Sequence, residues 1–182
     1  DLYFERHDGA AVTCDDFVAA LADANDRDMS VFAGWYRQAG TPTLTVSRQS
    51  DAGGMTLRLA QTTPETAAET PRDPLPVPVR LGFIGDDGRP VKLRQDGENE
   101  ARDEHVLLFE GAEAAFRFSS DASAGDAAAP GTITPSVLRG FSAPVRLVDD
   151  LSDDERLHLM AHDSDLFNRW DSAQKLATAA IL

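Results

Sequence analysis

Hydrophobic and polar positions change period twice along the chain, dividing it into a helical, a strand-rich and a second helical stretch. Over residues 1–38 the spacing is helical. Phe17, Val18, Leu21 and Ala24 share one face behind Thr13-x-x-Asp16, a capping-box pattern, which predicts a helix over 14–25. Phe32, Trp35 and Tyr36 at i, i+3 and i+4 mark a short second helix, and Gly40 with Pro42 supplies its stop. Two helices do not make a core, so these aromatic faces are expected to pack on something outside the two helices.

From Thr43 the period is two. Leu44 and Val46 alternate with Thr43, Thr45 and Ser47, and Met55, Leu57 and Leu59 alternate with Thr56, Arg58 and Ala60, predicting a hairpin across 49–54. Val77, Val79, Leu81 and Phe83 read as the next strand, whose start Pro76 and Pro78 restrict to an edge or an unpaired position. Asp87-Gly88 turns the chain into 91–93, and further strands are expected at 104–110, 114–119, 136–139 and 144–148. Seven or eight short strands at close spacing predict a mainly β fold, an antiparallel β-sandwich; periodicity alone leaves a small barrel open. Residues 119–131 are small and polar without period, and are read as a flexible loop. Past Val148 the helical period returns. Ser152-x-x-Glu155 is a second capping box, Leu157, Met160 and Ala161 continue one face, and Leu166, Trp170, Ala173, Ala177 and Ala180 mark a last helix, expected to pair antiparallel with its predecessor.

Composition narrows the setting. At 182 residues, 42% hydrophobic and 26% charged, the chain suits one globular core with appendages, and no apolar run approaches the roughly 20 residues that cross a bilayer. A net charge of -14 repels phosphate backbones and anionic headgroups, which argues against nucleic-acid and membrane partners. The single Cys14 cannot close an intramolecular disulfide, which fits a reducing cytoplasm.

Candidate chemistry is sparse. His158 and His162, at i and i+4, share a helix face and could reach one metal with help from Asp154 or Asp163, but Leu159 stands where a zinc hydrolase helix carries its glutamate. His7 beside Asp8 offers half of an acid-base pair, although Asp8-Gly9 is also a turn; Cys14 beside Asp15 offers a thiol that neighbouring carboxylates disfavour as a thiolate. The acidic run Asp149, Asp150, Asp153, Asp154 and Glu155 lacks calcium-loop spacing and reads as dipole-stabilising residues on a solvated helix start. Trp35, Tyr36 and Trp170 sit at core or interdomain spacing rather than as ligand platforms. No residue is assigned as catalytic, cofactor-binding or metal-ligating.

Four runs in register carry a more specific signal: Tyr3-Phe4-Glu5-Arg6-His7-Asp8-Gly9 with Thr13 to Phe17; Gly40-Thr41-Pro42; Phe141-Ser142-Ala143-Pro144-Val145; and Phe167-Asn168-Arg169-Trp170-Asp171-Ser172-Ala173-Gln174. In this order and over nearly the whole length, the chain resembles zinc aminopeptidases of the aminopeptidase N (alanyl aminopeptidase) family. The resemblance implies an internal fragment: residues 1–40 closing a thermolysin-like catalytic domain, 41–149 an immunoglobulin-like sandwich, and 150–182 the first helices of a C-terminal helical domain. It also implies that the zinc ion, its activating glutamate and the Gly-Ala-Met-Glu-Asn run that grips a peptide's amino terminus lie upstream of Asp1, since no histidine here is followed by glutamate. The expected role is a non-catalytic spacer whose partners are the remaining domains of its own chain, peptide being a substrate only of the parent. Two other readings stay open: a stand-alone immunoglobulin-like module that binds a protein or glycan, and a small metal-dependent hydrolase centred on His158 and His162.

Overall fold

The computed structural model describes residues 1–51, 53–64, 73–120 and 133–181; the expected loop over 119–131 lies, from 121 onward, outside them. Helices α1 (Leu2–His7), α2 (Cys14–Asn25) and α3 (Gly34–Arg37) come first. The Thr13 hydroxyl accepts the Asp16 N–H while the Asp16 carboxylate accepts the Thr13 N–H, so the capping box starts α2 where the pattern put it. Tyr3 packs edge-on against Phe17 with ring centroids 5.3 Å apart, joining α1 to α2.

Strands β1 (Thr43–Asp51), β2 (Gly54–Thr62), β3 (Val77–Ile84), β4 (Arg94–Gln95), β5 (Glu104–Phe109), β6 (Glu113–Ser119), β7 (Thr134–Val137) and β8 (Arg146–Asp149) form two sheets, ordered β4-β6-β2-β1-β8 and β5-β3-β7. Inward residues of both sheets meet in one apolar core; Leu57, Val79, Leu81, Phe83 and Phe118 are fully buried there. The sandwich is mainly antiparallel, with one correction: β8 runs parallel to β1, Thr43 opposite Arg146 through Val46 opposite Asp149. Alternation of side chains is the same in both senses, so the pattern could locate the strand but not its direction. Pro78 sits where only β5 flanks β3, because β7 begins its pairing at Leu81, which satisfies the restriction read from the prolines. The expected strand at 91–93 contributes only one isolated bridge, Leu93 to Arg102, and the expected strand at 136–139 ends at Val137, where a 3-10 turn over Arg139–Phe141 takes over.

Helices α4 (Asp153–His162) and α5 (Leu166–Ile181) close the chain as a packed pair. The stripe Leu166, Trp170, Ala173, Ala177 and Ala180 does not turn inward; α5 buries Asn168 and Ser172, leaving Leu166 and Trp170 exposed. At the other end the aromatics divide: Trp35 packs against the sandwich core while Tyr36 stays exposed. Leu57→Ala, at the centre of the core, is expected to cost about 2–5 kcal/mol in urea unfolding; a smaller loss would mean that the two sheets are not closely packed there.

Candidate interdomain joint

After β7 the chain reverses sharply, and the reversal is strained. Leu138 and Phe141 have φ of +57° and +52°, and Gly140 between them has φ of +61°. Left-handed backbone at a branched or aromatic residue costs roughly 1–2 kcal/mol each, so the surroundings must hold it. They do so through Arg139, whose side chain is buried inside the turn. Its Nη2 donates to Asp163 Oδ1 at 2.6 Å and to Ser164 Oγ at 2.8 Å, its Nε to Ser136 Oγ at 3.2 Å, and its Nη1 to Glu104 Oε2 at 3.3 Å. Ser136 donates its hydroxyl to Asp163 Oδ2 and accepts from Asn168 Nδ2, which also reaches the Val137 carbonyl at 2.9 Å. Gly140 N–H donates to Asp165 Oδ2 at 2.9 Å.

Sandwich, turn and helix pair are thereby tied by one buried polar knot. Asp163 is 2% and Arg139 5% exposed, yet both charges are paired and hydrogen-bonded, which is the condition under which buried ions are tolerated. Space for the guanidinium comes from Gly82 of β3: a Cβ there would lie 2.6 Å from Arg139 Nη1.

A second clamp joins the helix pair to the opposite sheet. Asp149 of β8 accepts from Arg156 of α4 at 2.6 Å and from Lys175 of α5 at 3.2 Å; Arg48 of β1 reaches Glu155 at 2.7 Å and Asp150 at 3.4 Å. Burial works against the charge on Glu155, but hydrogen bonds from Arg48 and Ser152 outweigh it and hold the carboxyl down to about 2. Burial likewise opposes the charge on Asp149, and Lys175 and Arg156 overcome it to hold that carboxyl below its ordinary value. The solvated-surface reading of the acidic run is therefore corrected at Asp149 and Glu155, whose partners include the sequence-distant cations Lys175 and Arg48.

Of the other candidates, the His158 and His162 rings meet with centroids 4.8 Å apart, and the rest scatter. His158 Nε2 lies 2.7 Å from the Gly85 carbonyl and must donate its hydrogen there, while the His162 ring packs under Gly88, where a Cβ would meet its Nδ1 at 2.5 Å. Asp163, the carboxylate expected to help a metal set with them, is committed to Arg139. Among the described residues no group of three or more His, Cys, Asp or Glu could hold a metal ion. His7 stacks near Tyr3 at 5.4 Å, and Cys14 is an exposed free thiol in the first turn of α2. Trp35 donates its indole N–H to the Pro76 carbonyl at 2.9 Å, and Trp170 leans on Phe167 at 5.7 Å. Ser136 and Arg139 were legible only as part of an expected strand, and Asp163 only as a possible metal helper, a role its pairing with Arg139 replaces. Asn168, however, lies in one of the four runs, and Phe141 from another meets Phe167 with ring centroids 5.3 Å apart.

These features define a class: an immunoglobulin-like sandwich with a helical pair fixed to one end by a buried polar joint. The chain belongs to the family described as "Domain of unknown function (DUF3458) Ig-like fold", which matches residues 40–150; a companion described as "Domain of unknown function (DUF3458_C) ARM repeats" matches residues 153–182. Over 184 residues and its full length it is 41% identical to aminopeptidase N of Caulobacter vibrioides, and over 182 residues, 99% of its length, 37% identical to aminopeptidase N of Escherichia coli K12. It spans 19% and 20% of those two relatives, about a fifth of each. Among solved structures, Legionella pneumophila aminopeptidase A in complex with aspartic acid superposes on 97% of the chain at a TM-score of 0.77 and 25% identity, the match covering 18% of that protein.

Two outcomes test the joint. Arg139→Ala leaves Asp163 buried without its counter-charge and is expected to cost about 3–5 kcal/mol by denaturant unfolding, more than Arg139→Ala combined with Asp163→Ala; a double-mutant loss equal to the sum of the two single losses would show that the pair is uncoupled. In acid, the Arg48–Glu155 clamp contributes stability above the ordinary glutamate value of 4.5 and loses it as pH falls towards about 2. Thermal melts across that window should therefore show a steeper acid loss in the natural chain than in Glu155→Gln; parallel curves would contradict the clamp.

Proposed function

We propose that this chain is the non-catalytic spacer of a zinc-dependent aminopeptidase, a parent that removes N-terminal residues from peptides. The observation that carries the reading is the pairing of whole-length similarity to two aminopeptidases N with a joint built to fix one body on another. On this reading residues 1–40 close the catalytic domain, 41–149 are the sandwich, and 150–182 begin a helical domain. The residues present do not fit a zinc ion: His158 is tied to Gly85, Asp163 to Arg139, and no histidine precedes a glutamate. Zinc, its general base and the peptide-gripping groups accordingly belong to the rest of the parent, and no chemical step is assigned to this chain.

Rigidity is the contribution such a spacer makes. A displacement of about 1 Å between a substrate and its catalytic groups can cost 10²-fold in rate, so two bodies that enclose a peptide gain from a joint with little play. The outward stripe of α5 supports the same reading. Leu166, Trp170 and Ile181 are 76%, 56% and 84% exposed, while the inward face is polar and satisfied. Helical repeats bury such stripes against the next repeat, and we assign the following helices of the parent as the cover. The exposed thiol of Cys14 and the lack of a helix long and apolar enough to cross a membrane among the described residues favour a cytoplasmic parent.

Hydrolysis of an alanyl chromogenic substrate, with zinc content in parallel, should be found in the complete gene product and not in the 182-residue chain. Zinc-dependent activity in this chain alone would overturn the spacer reading.

A further inference from the structure

Strand β5 forms the outer edge of the three-stranded sheet, and among the described residues no strand pairs with its outer side. Pro78 faces Leu108 across the β3–β5 ladder. Proline has no N–H to exchange, so this is a non-hydrogen-bonded pair, and alternation along an antiparallel ladder makes Arg80 and Val106 another. The backbone N–H and C=O groups of Val106 and Leu108 therefore point away from β3, towards the free edge, and bond no other backbone among the described residues. Their side chains are 63% and 50% exposed. Sheet edges that face only water are normally blunted by proline, lysine or a bulge, whereas His105-Val106-Leu107-Leu108-Phe109 carries none of these and keeps unbroken register.

Beside this edge runs a groove of 540 Å³ walled by Leu108, Pro78, Pro76, Trp35 and Tyr36. Its shape is preformed: prolines stiffen one wall, and the indole of Trp35 is pinned to the Pro76 carbonyl at 2.9 Å. Glu110 lines the same groove and makes no ion pair among the described residues. An occupant that complements these features offers extended backbone to the edge, an apolar side chain to the groove and a basic side chain to Glu110.

We propose that β5 and this groove accept an extended segment of the same polypeptide, from outside the 182 residues, which adds to the sheet as a further strand. The proposal rests on the spacer reading, in which the parent is about five times longer, as the 19–20% coverage of the relatives implies. Strand addition takes its affinity from main-chain hydrogen bonds and its selectivity from side-chain pockets, and a tethered segment works at millimolar effective concentration, so a short pairing suffices.

Hydrogen exchange at the Val106 and Leu108 amides, compared between the complete gene product and this chain, tests the proposal. Exchange about 100-fold slower in the complete protein is expected, and equal exchange would overturn strand addition. Val106→Pro removes an outward N–H without touching the β3 ladder; it should leave the melting of the short chain unchanged and abolish the slowing at Leu108 in the long one. Should that variant misfold, Glu110→Lys asks the same question from the groove and should also abolish the slowing. Slowing in the short chain that grows with its own concentration would overturn the proposal in favour of a second copy as occupant. Aminopeptidase activity is measured on the same complete protein: active protein with fast amides sinks strand addition alone, whereas inactive protein with slow amides sinks the aminopeptidase reading and supports the added strand.

Discussion

A guanidinium and a carboxylate removed from water together govern the arrangement of this chain. Arg139 lies within a left-handed reversal, Asp163 lies between the two C-terminal helices, and their 2.6 Å contact is the charged centre of the hydrogen bonds that join these elements. Burying such a pair gains little net stability over an apolar substitute, because desolvation consumes most of the attraction. Its return is geometric: a buried charge tolerates one position of its partner. Ser136, Asn168 and Gly82 serve that pairing, two by completing its hydrogen bonds and one by leaving room.

The strained reversal follows from the same constraint. Leu138 and Phe141 adopt backbone conformations that cost energy in isolation, and this places Arg139 inward and Phe141 outward against Phe167. On the far side of the helix pair, the Arg48–Glu155 and Asp149–Arg156–Lys175 contacts hold the second sheet. The pair is thus fixed to both sheets, a three-point attachment that resists rotation better than either clamp alone.

Much of the fold could be read from local pattern, because local pattern decides it. Thr13 and Ser152 cap their helices within three residues, and the alternation at Leu44 to Leu59 buries the same face that it marks. What escaped the sequence depends on distant partners. The parallel direction of β8 is set by where the chain re-enters the sheet beside Pro42, whose carbonyl accepts the Arg146 N–H at 2.8 Å. The α5 stripe was legible as apolar but not as outward-facing, because the partners that draw polar Asn168 inward, Ser136 and the Val137 carbonyl, lie 32 and 31 residues away in sequence. Asp149 and Glu155 resembled ordinary acids of a helix start, since nothing in their own neighbourhood announces Arg48 or Lys175.

Fixed orientation is the central claim, and residual dipolar couplings of the partly aligned chain test it most directly. One alignment tensor fitting the amides of β1 to β8 and those of α4 and α5 together, in the orientation described here, is the result expected. A smaller or differently oriented tensor for the helix pair would show that it moves on the sandwich and that the buried joint does not act as a rigid one.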